Sequence, residues 1–150
     1  MTGYCAVNLG NVSSGTASIA MANNQELATL GVRCNNAGGT RFSVSAANAD
    51  LESSAGNRIN YAIRVDSTDE PRFNIPPSDF SAENETKSSA LVPFDRDVAD
   101  GVDLILSLNV NQNNENGVEG PDTNGQSQFA AKEAPAGTYV ETFTFSVSSI

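Results

Sequence analysis

The 150-residue chain contains no histidine. That absence excludes Ser-His-Asp and Cys-His nucleophile arrangements, which need an imidazole base. Basic residues are scarce as well, eight Lys and Arg against eighteen Asp and Glu, for a formal net charge of −10. The eight are scattered at Arg33, Arg41, Arg58, Arg64, Arg72, Lys87, Arg96 and Lys132. They form no basic stripe, which speaks against nucleic-acid binding and against anionic membrane surfaces. Two cysteines without histidine make no zinc site. No apolar run approaches the ~20 residues of a transmembrane helix. No Gly-rich loop joins a strand to a helix, so phosphate cradling has no support. The chain therefore reads as a non-enzyme without a cofactor.

What remains is a length that suits one domain, residues 1–150. Apolar residues make up 39% and charged residues only 17%, while Asn, Ser, Thr, Gly and Ala are abundant. A neutral, polar surface of that kind suits an extracellular protein. Cys5 and Cys34 read as a disulfide or as two buried thiols. A bond would close a loop of about 30 residues, worth roughly 3–4 kcal/mol in the chain-entropy description, and would imply an oxidising compartment. Met1-Thr2-Gly3 is too short and polar for a signal peptide, so Met1 reads as an added start on a mature or trimmed chain.

Period-two alternation dominates and predicts strands. Cys5, Val7 and Leu9 share one face, and Gly10-Asn11 is expected to end that run. Ala17, Ile19 and Met21 form a second short face, with a turn at Asn23-Asn24. Leu30, Val32 and Cys34 come next, then the turn cluster Asn35 to Gly39, then Phe42, Val44 and Ala46. Ile59, Tyr61, Ile63 and Val65 face one way in a single run. Pro71, Pro76 and Pro77 are expected to break regular structure between Thr68 and Asp79, with Phe73, Ile75 and Phe80 plugging one end of the core. Val102, Leu104, Leu106 and Leu108 make a further face, and the polar stretch Asn111 to Gln128 reads as a loop. The last strand opens at Tyr139 and puts Phe143, Phe145 and Val147 on one face. Seven or so short strands with weak helical periodicity indicate an all-β fold, an antiparallel β-sandwich. Without Trp, and with its first cysteine at position 5, it is not an antibody-type domain.

Asp95, Asp97, Asp100 and Asp103 cluster in DRDVADGVD. Gly101 is misplaced for an EF-hand, so the cluster reads as a solvated acidic turn rather than a calcium loop. NQNNENGVEG fails the same test at Gly117. Asn11-Val12-Ser13 and Asn84-Glu85-Thr86 match the glycosylation pattern, common by chance in this composition. Tyr4 and Phe73 are the aromatics open to a sugar-platform role.

The sequence also resembles a known family. TGYCAVNLGNV at the start, GVRCNNAGGTRFSVSAA around the second cysteine and PAGTYVETFTFSVSSI at the end are similar to pilin subunits and pilin domains of chaperone–usher fimbriae, spore-coat-U-like pilins among them. Two features depart from the family pattern. Only Met1 to Tyr4 precede Cys5 where an alternating extension is usual, and Ser149 stands where an aromatic residue is frequent. The resemblance implies an Ig-like sandwich that is incomplete, with its seventh strand supplied by a partner. Val7 and Leu9 would line one wall of the resulting groove, and Phe143, Phe145 and Val147 the other. It further implies a bacterial surface fimbrium reached through the periplasm and used in attachment or biofilm. The partners would be neighbouring pilin subunits, a periplasmic chaperone, an outer-membrane usher and, for an adhesive subunit, a host receptor. The alternative is a secreted sandwich that recognises host glycan or protein through its loops.

Overall fold

Alternating side chains place one face of each strand inward, and the chain folds accordingly. The computed structural model describes residues 4–12, 25–59, 61–80, 82–110, 128–129 and 136–149. Among them the strands are β1 (Cys5–Val12), β2 (Gln25–Cys34), β3 (Thr40–Ala46), β4 (Leu51–Ser53), β5 (Arg58–Ile59), β6 (Tyr61–Asp66), β7 (Ile75–Asp79), β8 (Thr86–Ser88), β9 (Val102–Val110), β10 (Gln128–Phe129), β11 (Tyr139–Val140) and β12 (Phe143–Ser149). One short helix, α1 (Arg96–Asp100), precedes β9.

Three sheets result. The largest has the order β1-β2-β9-β6-β7 and is antiparallel throughout. The second, β12-β3-β8, is also antiparallel. A minor sheet, β10-β5-β4-β11, contains a parallel pair between β10 and β5. One hydrophobic cluster joins the inner faces of the first two sheets. Leu30, Val32 and Cys34 enter it from β2, Tyr61, Ile63 and Val65 from β6, and Leu104, Leu106 and Leu108 from β9. Phe42, Val44 and Ala46 of β3 meet them from the second sheet. Each Val, Leu, Ile or Phe among them contributes about 1.5–3 kcal/mol by leaving water.

Cys5 and Cys34 are disulfide-bonded. They face each other in the β1–β2 register, so the bond ties adjacent strands of one sheet. Antibody domains instead bridge their two sheets.

Several local expectations are corrected. Pro76 and Pro77 do not break regular structure. They lie in edge strand β7, exposed, at an irregularity between the Ile63 and Val65 pairings. An edge tolerates proline because its outward N–H groups have no ladder partner to lose. The run Ile59 to Val65 divides: Ile59 belongs to β5 in the minor sheet, and Tyr61 opens β6 in the large one. Tyr139 likewise sits in β11, and the last strand starts at Phe143. Gly10-Asn11 does not end β1, which continues to Val12 past a register shift. Phe73 is fully buried and cannot serve as a sugar platform. It does plug the core, with Ile75 and Phe80. The acidic stretch 95–103 holds α1, where the Asp95 side chain accepts from Asp97 N–H and Val98 is buried. Gly101 ends that helix at φ 117°, and a Cβ there would meet Arg33 Cγ at 3.2 Å. The face of Ala17, Ile19 and Met21, the turn at Asn23-Asn24 and the stretch 111–127 lie outside the described residues.

The polar loop that carries Phe73 inward is held by its own side chains. Asn74 Oδ1 accepts from Ser67 N–H at 2.7 Å, and Ser67 Oγ accepts from Glu70 N–H at 3.1 Å. Arg72 forks onto Glu70 at 2.6 and 2.7 Å. That hydrogen bond holds the Glu70 carboxyl below its usual range, against the upward push of burial. A depressed folded pKa makes the ionised form stabilising. The contribution is complete above the unfolded pKa of about 4.3 and is lost as pH falls through the folded value.

Two outcomes follow. Glu70→Gln lowers the urea midpoint at pH 7, and the difference from wild type closes as pH falls below about 4; a difference that persists at pH 2 would refute the ion-pair assignment. The Cys5→Ser/Cys34→Ser double variant loses roughly 2–4 kcal/mol in the same measurement.

Candidate functional site: two open sheet edges

A strand at the edge of a sheet offers unpaired N–H and C=O groups, and proteins normally blunt it. The two main sheets end at β1 and β7, and at β12 and β8. β7 is blunted by Pro76 and Pro77, and β8 is three residues long with Lys87 at its centre. β1 and β12 have no such protection. They run for eight and seven residues, CAVNLGNV and FTFSVSS, without a proline or a charge.

These two unprotected edges adjoin each other. Cα atoms of β1 and β12 come within 8 Å. Yet β1 is hydrogen-bonded only to β2, and β12 only to β3, among the described residues. Cys5 lies opposite Cys34, and Ser149 opposite Thr40. Cys34 and Thr40 flank one turn, so the start of β1 and the end of β12 share one pole of the molecule. The two strands run in opposite directions along the seam between them.

Burial changes abruptly at this seam. On β3, Phe42, Val44 and Ala46 are all 0% exposed. One strand over, Phe143, Phe145 and Val147 occupy the register positions opposite Ala46, Val44 and Phe42, yet they are only partly buried. Cys5 and Val7 of β1 are partly buried against the same cluster. Leu9 is 58% exposed and is not packed against it. The structure thus brings Val7 and the three β12 residues to one seam, with Leu9 projecting at its margin. The floor is aromatic: Phe145 stacks on Phe42 at 6.2 Å, and Phe143 meets Tyr61 edge-on at 5.7 Å and Phe80 at 6.5 Å.

The far end of the seam is pinned by polar groups that sequence patterning missed. Glu141 lies just before β12, and its carboxylate accepts from Asn48 N–H at 3.0 Å, Thr142 N–H at 2.8 Å and the Tyr61 hydroxyl at 2.9 Å. Burial pushes the Tyr61 phenol well above its ordinary pKa, and the Glu141 charge and hydrogen bond add to this, so the hydroxyl stays a donor. Asn48 is held in turn. Its carbonyl accepts from Arg58 at 3.1 Å, and the buried Arg58 guanidinium pairs with Asp50 at 3.3 Å. Glu52 at 3.3 Å and Glu83 at 3.5 Å also pair with Arg58. Between Asn48 and Asp50, buried Ala49 has φ 68°, a left-handed conformation that costs a non-glycine residue of order 1 kcal/mol. An alternation pattern carries no signal for these partners, because they come from separate strands and turns brought together only by the fold.

Among the described residues, no cluster of three or more His, Cys, Asp or Glu is placed to hold a metal ion. Tyr4 is exposed, as are Leu91 and Phe94. Comparisons with protein-family models, with curated proteins and with solved structures find no match to this chain.

The asymmetry across the seam is measurable. Phe42→Ala, in the closed core, costs about 3–5 kcal/mol in urea denaturation. Phe145→Ala costs less than half as much, since its ring is partly in water already. Equal costs would mean that β12 is ordinary core.

Proposed function

We propose that this chain is a structural subunit of a bacterial adhesive fimbria, assembled by accepting a β-strand from another molecule. Its donors would be a neighbouring subunit and, before that, a periplasmic chaperone, with delivery through an outer-membrane usher to the cell surface. The observation that carries the reading is the seam: two adjacent, unblunted edges above a half-covered apolar face.

Strand order adds support. In the seven-stranded constant-type immunoglobulin arrangement, strands A, B, E and D form one sheet, and C, F and G the other. β1, β2, β9 and β6 occupy the places of A, B, E and D, and β3 and β12 those of C and F, in matching chain order. Among the described residues, the place without a strand is G, beside F, on the side of β12 away from β3. An Ig-like sandwich lacking its last strand accounts for the seam, and the resemblance of the cysteine and final-strand segments to pilins points the same way.

The physics of the exchange follows. An inserted strand hydrogen-bonds to β12 on one side and to β1 on the other, parallel to one and antiparallel to the other. Donor-strand complementation is a known form of strand addition, with backbone bonds giving affinity and alternate side chains giving specificity. Burying four or five apolar side chains contributes on the order of 8–12 kcal/mol before ordering costs. That is comparable to the stability of a whole domain. Neighbouring strands lie about 4.8 Å apart, so a strand between two others needs roughly 9.6 Å. β1 and β12 approach more closely than that, and the incoming strand must part them.

The test is a synthetic peptide of alternating isoleucine and threonine, with a lysine tail for solubility, added to the full chain. At a hundredfold excess over Kd it contributes about 2.7 kcal/mol, a Tm rise of roughly 5–11 °C for a chain of this length. A monomer that is stable unaided, with a Tm indifferent to the peptide, would remove the proposal.

A further inference from the structure

Tyr61 touches the seam twice. Its hydroxyl donates to Glu141 Oε2 at 2.9 Å, and its ring packs edge-on against Phe143 at 5.7 Å. It stands on the five-stranded sheet, whereas Glu141 and Phe143 belong to the approach and first residue of the last strand on the opposite sheet. The pair therefore crosses from one sheet to the other at the pole remote from the disulfide. There β12 has a ladder on one side only among the described residues, and the backbone alone would leave its first side chains free to tilt. The Glu141 carboxylate also fixes the strand's approach through Thr142 N–H and Asn48 N–H. Asn48 is itself clasped by buried Arg58. A hydroxyl buried among aromatic rings must have an acceptor, because leaving it unsatisfied costs about 1–3 kcal/mol. A phenylalanine at position 61 would fill the same space without that demand.

We propose that the Tyr61–Glu141 hydrogen bond is a positioning device for strand acceptance. It holds Phe143 in place so that the seam's far end is formed before the donor arrives. The inference rests on the strand-acceptance reading and assigns to that site the residues that preorganise it. Tyr61 and Glu141 act through Phe143; neither needs to touch the inserted strand. Preorganisation of this sort raises affinity by removing an ordering cost from the binding step.

The test measures binding of the fluorescently labelled isoleucine/threonine peptide by anisotropy to the full chain and its variants. Tyr61→Phe keeps the ring and removes the hydroxyl, and it should weaken binding roughly threefold to tenfold, the worth of one net hydrogen bond. Glu141→Gln provides a second variant should the first fold poorly, and it should weaken binding in the same direction. The discriminating measurement combines Tyr61→Phe with Phe143→Ala and, separately, with Val147→Ala. If the device acts through Phe143, Tyr61→Phe adds no further loss in the Phe143→Ala background and its full loss in the Val147→Ala background. A purely structural role predicts the same added loss in both backgrounds and would overturn the inference, as would unchanged binding by Tyr61→Phe. Absence of peptide binding to the unmodified chain would overturn the strand-acceptance reading itself. Binding with a uniform loss would overturn only the positioning role.

Discussion

An apolar strand face must be covered and an edge must be paired, and among the described residues β12 receives half of each. The same FxFxV alternation that would be unremarkable in a sheet interior here meets β3 on one side and an unladdered neighbour on the other. Much else in the structure is consistent with that imbalance. β1 cannot hold its place by burial, since Val7 is only partly covered and Leu9 largely exposed. A covalent bond from Cys5 to Cys34 ties it to β2 instead. The start of β12 is fastened by a carboxylate with three donors as well as by the packing of Phe143.

The distribution of edge protection sharpens the point. Prolines at β7 and the brevity of β8 are devices against unwanted pairing, and both sit on edges remote from the seam. On β12 the outward positions are Thr144, Ser146 and Ser148, and on β1 Asn8 is outward and exposed. None carries a charge, although the chain has a net charge of −10. Repulsion is thus available to the protein and is not spent on these two strands. An edge so composed is either a liability for aggregation or a place intended for pairing.

The fold was legible wherever apolar residues alternated over six or more positions. The faces of β2, β3, β6, β9 and β12 are those that period-two spacing predicts. Leu30, Tyr61, Leu104 and Phe42 needed no other signal. Boundaries were legible less well, and for a physical reason. Ile59 and Tyr61 keep the same alternation while the chain passes from one sheet to another. Pro76 and Pro77 look like breakers until the strand holding them proves to be an edge. At the seam, Val7, Phe143, Phe145 and Val147 could be named as residues of an apolar face from alternation. Their incomplete burial could not, because burial depends on which strands are neighbours. The Glu141–Tyr61 and Arg58–Asp50 contacts span 80 and 8 residues, and a charge in a turn carries no mark of its partner.

The two flanking strands are fastened at opposite poles, and this bears on how the seam can open. β1 is bound by the disulfide at its beginning, beside the Cys34–Thr40 turn. β12 is bound by Glu141 at its beginning, which lies at the other pole. Beyond their ladders to β2 and β3, the two strands thus carry their extra ties at opposite poles. β1 also loses regular register between Leu9 and Val12, away from its covalent tie, and the exposed Leu9 side chain lies at that end. On the proposed strand acceptance, the parting is expected at that end of β1, about the Cys5 pole, with Phe143 held opposite by the Tyr61 and Phe80 rings.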